Sequence, residues 1–205
     1  MRILPRLALL AVLAMPSFAQ SVAFEPDTNH TVIGFKAATL LFKVNGSFRK
    51  WRTEISGDPK TLDGASVKVT LYTNSIDTEN KQRDEHLRSE DFFDAAKNPR
   101  ITFTSSKVVK EGGKVVVTGT LDMHGVKKEL TIPFDPAFGR NGAGTDTWSY
   151  EGTLKINRKD FGIGADSVAA KISLKDDVEL NLLLVGFFEE KKADAPKPAP
   201  KKKAA

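Results

Sequence analysis

The stretch "KVVVTGTLDMHGVKKELTIPF", Lys114 to Phe134, decides the fold because apolar residues recur at every second position on both sides of His124-Gly125. Before the His-Gly pair, Leu121 and Met123 flank the polar Asp122. A period of two is typical of antiparallel strands with one buried face and one exposed face. A residue pair of this kind between two such runs marks a turn. The stretch therefore predicts two antiparallel strands joined by a tight turn.

The same alternation continues through most of the chain, from Val22 to Glu190, and turn signals such as Asn45-Gly46 and Gly112-Gly113 separate the runs. We count about eight strands, and no internal repeat. Long strands with one apolar face lose their exposed edges when the sheet closes. Residues 20–190 are thus predicted to form one all-β domain, an eight-stranded antiparallel barrel.

One segment interrupts the alternation: "RDEHLRSEDFFDAAKNP", from Arg83 to Pro99. Thr78 is a candidate cap for a helix that continues to Arg88, and Ser89 is a candidate cap for a second short turn. Pro99 then ends the interruption, because proline disfavours helix in the residue before it. We predict a short helical insertion at about residues 79–95.

The first 19 residues have the pattern of a secretory signal peptide, with two arginines, the apolar run Leu7–Met15 and small residues at Ser17 and Ala19. The run is too short to cross a bilayer. We expect cleavage after Ala19 and export. The chain has no cysteine, so burial of its apolar core must stabilise the exported domain without disulfides.

Residues 191–205, "KKADAPKPAPKKKAA", are predicted to be a disordered basic extension. The formal net charge of the chain is +5, but this tail contributes +5 and the first 19 residues +2, so residues 20–190 carry −2. A nucleic-acid surface needs clustered lysine and arginine on the domain itself, which excludes this class of partner. Two readings of the tail stay open: a solubilising extension, or a weak contact with an anionic membrane surface.

The interruption also contains Arg83, Asp84 and His86, which raises the question of catalysis. No serine or cysteine nucleophile accompanies them, and on a helix Asp84 turns away from the face that Arg83 and His86 share. Ion pairs and caps that hold the insertion at the barrel mouth are the favoured interpretation. His30 and His124 lie in other segments with no metal-binding spacing, so we predict neither a metal nor a cofactor.

Several short motifs follow one another along almost the whole domain. They are Asp27…His30-Thr31, Gly46-Ser47-Phe48, Arg83–Ser89, Phe92-Phe93, Asn98-Pro99, Ile101-Thr102-Phe103, Gly119-Thr120-Leu121, His124-Gly125-Val126 and Asn157-Arg158…Asp160-Phe161-Gly162. Their order resembles the YceI-like family of periplasmic polyisoprenoid-binding proteins; Thr31 replaces the serine of the family pattern and keeps a hydroxyl. The resemblance implies an extended lipocalin-like barrel, an elongated apolar cavity, a bound isoprenoid or related long-chain amphiphile, and no enzymatic activity.

An eight-stranded barrel is wide enough either to fill its own interior or to enclose one ligand, and composition alone leaves both open. The resemblance favours a cavity, and strands of about ten residues span roughly 33 Å, which matches a long lipid chain. The predicted lining is Phe35, Phe48, Val69, Leu71, Phe92, Phe93, Phe103, Val117, Leu121, Ile132, Phe134, Leu154, Ile156, Phe161, Leu180 and Leu182. Arg83, His86 and Arg158 are candidate head-group or mouth residues. We expect Phe92 and Phe93 to point inward and the charged groups of the insertion to remain in water, namely Arg83, Asp84, Glu85 and Arg88.

Together these features predict a periplasmic carrier or scavenger of isoprenoid-like lipids. An enzyme that acts on such a lipid is one alternative. A small outer-membrane barrel is another, although with two Trp and two Tyr the chain lacks the aromatic girdles typical of that class. A homodimer is possible for the predicted lipid carrier.

Overall fold

The structure, a computed structural model, describes residues 22–190. The predicted signal peptide (1–19) and basic tail (191–205) lie outside the described residues. The described chain contains eleven strand segments: β1 (Val22–Pro26), β2 (Val32–Thr39), β3 (Lys43–Phe48), β4 (Trp51–Ser56), β5 (Ser66–Tyr72), β6 (Ile76–Asp77), β7 (Arg100–Glu111), β8 (Lys114–Met123), β9 (Val126–Arg140), β10 (Asp146–Asn157) and β11 (Leu174–Glu190).

The eleven segments form one closed antiparallel barrel of eight strands. Three of the eight strands are interrupted, and each of these three consists of two segments. Strand β11 pairs with β10 along one edge; on its other edge it pairs first with β2 and then with β1. In the same way β3 and β4 follow each other, as do β5 and β6. The predicted all-β lipocalin-like barrel is confirmed.

The β8–β9 hairpin has the alternation that the sequence predicts. Along β8, every second residue from Val115 to Met123 is buried. The turn residues His124 and Gly125 have φ angles of 54° and 77°. Two consecutive positive φ values are typical of the two-residue type I′ turn, whose twist matches that of the flanking strands. The hairpin is confirmed, and its turn fixes the register of an uninterrupted pairing that runs from Val115 opposite Phe134 to Met123 opposite Val126.

Glycines in the strands provide room for phenylalanine rings on the barrel wall. Phe35 faces Gly46 across β2 and β3, and a Cβ added to Gly46 would lie 2.3 Å from the ring. Phe134 faces Gly152 across β9 and β10, where an added Cβ would lie 2.7 Å from the ring. Each ring thus lies against the backbone of the neighbouring strand.

The helical insertion differs in detail from the prediction. Helix α1 spans Lys81–Arg88, and its N-cap is Asn80, whose side chain accepts a 3.0 Å hydrogen bond from the Arg83 backbone nitrogen. The predicted cap, Thr78, is therefore wrong. Ser89 ends α1 and is followed by turns, without a second helix. A second helix, α2 (Val168–Ser173), was not predicted; its six residues are too few to show a helical period.

The two ends of the barrel differ. One end, called the capped end below, carries the helical segments, and the other, called the loop end, carries hairpin loops and the first and last described residues. The capped end comprises residues 39–42, 78–99, 124–125 and 158–173, and the loop end comprises residues 57–65, 112–113, 141–145, Val22 and Glu190. Because the strands are antiparallel, successive connections alternate between the two ends. The connection that contains α1 and the one that contains α2 therefore lie at the same end of the barrel.

Substitution of Gly152 by alanine tests the packing on the wall. The added methyl group overlaps the Phe134 ring, so we expect a loss of about 1–3 kcal/mol in the free energy of unfolding, measured by urea denaturation. Gly139→Ala, in the neighbouring strand with open space around its Cα, is the matched control and should change the stability little. Equal stability of the two variants would contradict the close packing.

Candidate functional site: the barrel cavity

The interior of the barrel holds a narrow apolar cavity of about 780 Å³, counting the part open to solvent. Alternating residues of the strands form its wall. The lining is Ile33, Gly34, Phe48, Val67, Val69, Leu71, Ile101, Phe103, Val117, Leu121, Leu130, Ile132, Phe134, Leu180, Leu182 and Leu184. Mostly apolar walls are typical of small-ligand sites.

A second cavity, of about 550 Å³ on the same measure, continues toward the loop end. It shares four wall residues with the first, Val67, Val117, Phe134 and Leu184, so these side chains lie at the boundary between the two cavities. Its remaining lining is Phe24, Ile55, Ser56, Gly57, Asp58, Pro59, Leu62, Ala65, Val108, Val115, Tyr150 and Phe188. We refer to the two cavities together as the channel. Its inner part is wholly apolar, and the polar side chains of its wall, Ser56, Asp58 and Tyr150, line only the outer part.

Ten of the sixteen residues predicted as lining lie on the inner cavity. They are Phe48, Val69, Leu71, Phe103, Val117, Leu121, Ile132, Phe134, Leu180 and Leu182. Sequence reasoning missed wall residues such as Ile33, Ile101 and Leu130, although the same alternation marks them. It also missed the β4–β5 loop, because a loop has no period from which a buried face can be read.

The other six predicted residues contribute to packing near the channel. Phe92, Ile156 and Phe161 are buried in the hydrophobic core, and Leu154 packs against it. Phe35 lies over Gly46 on the wall. The six predicted residues that do not line the inner cavity are therefore Phe35, Phe92, Phe93, Leu154, Ile156 and Phe161.

Phe93 connects the helical insertion to the inner cavity. Its ring meets the ring of Phe48, a cavity residue, edge to face with centroids 6.2 Å apart. Edge-to-face pairs stabilise beyond the area that they bury. The insertion therefore closes the capped end of the channel through an apolar contact.

Arg158 is buried, with 3% of its surface exposed, and its guanidinium donates hydrogen bonds to nearby backbone carbonyls. The Nη1 atom donates to the Ile163 carbonyl at 2.8 Å, and Nη2 donates to the Asp176 carboxylate at 2.9 Å. Further bonds reach the carbonyls of Gly164, Ala170, Leu174 and Lys175. This geometry makes Arg158 the centre of the segment 158–176 and leaves it turned away from both cavities.

Asp176, the carboxylate partner, also receives Lys159 at 2.9 Å. The hydrogen bond from Lys159, supported by the charges of Lys159 and Arg158, holds the pKa of Asp176 below its usual range. The segment thus stays ionically paired through neutral and mildly acidic pH. Sequence reasoning had no signal for this role, since it depends on where the backbone of residues 163–175 returns to the barrel.

Asp84 is buried, so the expectation that it stays in water is wrong. Its carboxylate accepts hydrogen bonds from the backbone nitrogen and hydroxyl of Thr78, at 2.8 and 2.6 Å. Arg83 donates to the same threonine, from Nε to the hydroxyl and from Nη2 to the carbonyl, both at 2.7 Å. Because α1 begins at Lys81, its first turn faces back toward Thr78.

His86 lies on the same helix as a half-exposed side chain. Its Nε2 atom is 3.1 Å from the Asp91 carboxylate, and its ring meets Phe92 edge to face at 4.9 Å. Arg83, His86 and Arg158 therefore all lie at the capped end, and each already has partners there. Within residues 22–190, no group of three or more His, Cys, Asp or Glu side chains is arranged to hold a metal ion.

Tyr150 lies at the loop end of the channel, in an aromatic cluster. Its ring stacks on Trp148 with centroids 6.4 Å apart and meets Phe24 edge to face at 6.2 Å. Burial disfavours the phenolate and raises the pKa of Tyr150 to about 12. The hydroxyl thus remains neutral at any physiological pH and contributes a polar atom without charge.

Comparison with known proteins identifies the family. The model of the YceI-like domain matches residues 24–185. The chain belongs to the YceI-like family. A UPF0312 protein of Vibrio cholerae is 35% identical over 180 residues, which cover 83% of this chain and 93% of that protein. The crystal structure of Burkholderia cenocepacia BcnA superposes with a TM-score of 0.68 at 27% identity, covering 78% of this chain and 99% of BcnA.

A polyisoprenoid binding domain from Saccharophagus degradans, implicated in plant cell wall breakdown, has the same fold. Its TM-score is 0.57 at 17% identity, over 83% of this chain and 98% of that domain. At this identity the likeness concerns the fold. Among the helices of residues 22–190, none is long and apolar enough to cross a membrane.

Substitution of Arg158 by lysine tests its structural role. An ammonium group cannot reach carbonyls on several sides, and buried acceptors lose their donors, so we expect a loss of about 2–4 kcal/mol in unfolding free energy. Arg140→Lys, at an exposed arginine paired with Asp146, is the control and should change stability by less than about 0.5 kcal/mol. A stable Arg158→Lys variant would show that these hydrogen bonds are dispensable.

Tyr150 predicts an alkaline instability. Its folded pKa is raised to about 12 from an ordinary 10.0, so its contribution is complete below pH 10 and is lost as the pH rises toward 12. In Tyr150→Phe this component of the pH dependence should disappear. Ultraviolet titration of tyrosinate, with wild type minus Tyr150→Phe as the difference, measures the pKa directly; an ordinary value would contradict the buried position.

Proposed function

We propose that the channel binds a long-chain isoprenoid or a related amphiphilic lipid. The supporting observation is the wall of the inner cavity, which consists of sixteen residues of which none is polar or charged. A wall of this kind offers no hydrogen bond to a polar guest and favours a hydrocarbon chain. The polyisoprenoid-binding name of the Saccharophagus relative agrees with this proposal.

Burial of a hydrocarbon chain in the channel would supply free energy of the same order as the cost of association. Each methylene removed from water contributes about 0.8 kcal/mol, so a chain of about twenty carbons contributes on the order of 10 kcal/mol or more. This is comparable with the free-energy cost of lost translational and rotational freedom on association, about 4–15 kcal/mol. Because the cavity is narrow, its wall contacts a linear chain along most of its surface.

The polar head group is proposed to lie at the loop end. Ser56, Asp58 and Tyr150 line the outer cavity, whereas the inner cavity has no polar side chain. Arg83, His86 and Arg158, the head-group candidates from the sequence, are at the opposite end and line neither cavity. The lipid would therefore enter with its chain directed toward Phe48 and the insertion.

A binding role is proposed in preference to catalysis. The residues that an enzyme would need from the insertion, Asp84 and His86, form hydrogen bonds with Thr78 and Asp91. Neither lines the channel. We infer that the protein works as a carrier or scavenger in the periplasm, where the pattern of residues 1–19 would direct it. Homodimerisation and weak contact between the tail and a membrane stay predictions.

Val117→Phe tests the channel at the boundary between the two cavities. In an empty channel the larger side chain fills space, so we expect stability within about 1 kcal/mol of wild type and at least a tenfold loss of lipid affinity. Affinity is measured by displacement of cis-parinaric acid with geranylgeraniol. Val116→Phe, one residue along β8 on the outer side of the barrel, should bind as wild type does.

Two results would contradict the proposal. One is unchanged affinity in Val117→Phe, which would place the ligand elsewhere. The other is a strong loss of stability, above about 3 kcal/mol, which is typical of overpacking in a solid core. If neither result is found, native mass spectrometry of periplasmic protein, followed by lipid extraction, would identify the natural guest.

A further inference from the structure

The capped end carries a concentration of exposed apolar side chains that neither the core nor the channel explains. Seven large apolar residues in the described chain are exposed, and five of them lie at this end. We call these five the capped-end patch: Leu40, Leu41, Phe42, Val168 and Ile172, which are 71%, 91%, 58%, 69% and 70% exposed. Single exposed apolar residues are ordinary, whereas a cluster marks an interaction surface.

The two halves of the patch are joined by the backbone. The Leu40 nitrogen donates to the Ser173 carbonyl at 3.0 Å, so the tip of the β2–β3 hairpin lies beside the last turn of α2. Val168 and Ile172 are four residues apart on α2 and share one face. The Thr39 side chain accepts hydrogen bonds from the nitrogens of Leu41 and Phe42, and these bonds hold the hairpin tip in shape.

Lysines surround this apolar surface. Lys43 follows Phe42, Lys171 precedes Ile172 and Lys175 lies just after α2; all three are exposed, and within residues 22–190 none forms an ion pair. The nearby Asp176 is occupied by Arg158 and Lys159, which leaves two exposed acidic groups, Asp166 and Asp177, against these three lysines. The edge of the patch is therefore net positive, although residues 20–190 carry −2 overall.

We propose that the capped-end patch docks on the surface of a membrane that contains anionic lipids. Exposed leucine and phenylalanine insert into the boundary between head groups and acyl chains, and a rim of lysines binds anionic head groups. The charge of the rim favours this partner over a second copy of the chain, because two lysine rims would repel each other. The proposal is independent of which guest occupies the channel.

Vesicle binding of the full chain tests the proposal, with phosphatidylglycerol-containing vesicles compared with phosphatidylcholine vesicles. The decisive pair is Phe42→Ser and Phe138→Ser: the two phenylalanines are 58% and 56% exposed, at opposite ends of the barrel. We expect Leu41→Ser/Phe42→Ser to bind phosphatidylglycerol vesicles about tenfold or more weakly than wild type and Phe42→Ser alone severalfold more weakly. Phe138→Ser should bind as wild type does.

Salt distinguishes the patch from the basic tail. Salt near 1 M shortens the Debye length to about 3 Å and suppresses attraction by the lysine-rich tail in every variant. The difference between Phe42→Ser and Phe138→Ser should persist, since it depends on apolar insertion. Lys171→Glu/Lys175→Glu should weaken binding to phosphatidylglycerol vesicles severalfold at low salt and leave the weak binding to phosphatidylcholine unchanged.

Three results would overturn the proposal. One is wild-type vesicle binding by Leu41→Ser/Phe42→Ser. Another is an equal loss of binding in Phe42→Ser and Phe138→Ser. The third is an oligomer of the wild type that becomes monomeric in Leu41→Ser/Phe42→Ser while vesicle binding is unchanged, which would assign the patch to self-association. Circular dichroism confirms that each variant is folded.

Discussion

Closure of the sheet through β11 is the constraint on which the rest of the structure depends. This strand of 17 residues pairs with β10 on one side and with both β1 and β2 on the other. A sheet that closes has no free edge, so its backbone hydrogen bonds are satisfied without filling the interior. The wall therefore determines the fold, and the centre of the barrel is left free to hold a guest.

The placement of large side chains on the wall extends this argument. A phenylalanine ring that projects inward would occupy part of a narrow barrel, and the chain has thirteen phenylalanines. Where Gly46 and Gly152 stand opposite Phe35 and Phe134, each ring lies against bare backbone. These two rings therefore pack against the wall and leave more of the barrel interior unoccupied. The cost is a set of glycine positions that tolerate no side chain.

The predictable part of the fold is the part that repeats. Alternation along β8 and β9 indicates strands, and His124-Gly125 indicates the turn, because both are local properties of the backbone. Ten of the lining residues follow from the same period. The family motifs then favour a cavity over a filled core, a choice that periodicity alone does not make.

What the sequence left undetermined depends on contacts between distant segments. Arg158 was a candidate for the head group because arginine binds anions, yet its donors meet carbonyls from residues 163–175. Asp84 is buried because Thr78 supplies two donors, which no local pattern reveals. Helix α2 is too short for a period and owes its position to Ser167, which caps it, and to the Arg158 hydrogen bonds.

The difference between the two ends gives the proposed carrier a direction. A barrel docked by the capped-end patch places its helical insertion against the membrane and its loop end, with Ser56 and Asp58, toward water. In this orientation the hydrocarbon chain points toward the membrane side, where the insertion closes the inner cavity by the contact between Phe93 and Phe48. This contact is an edge-to-face pair worth about 0.5–1.5 kcal/mol beyond its buried area, a small energy beside the chain burial that loading gains. The buried Asp84 and Arg158 networks, with their several hydrogen bonds to the backbone and to neighbouring side chains, keep the segments around this contact in place.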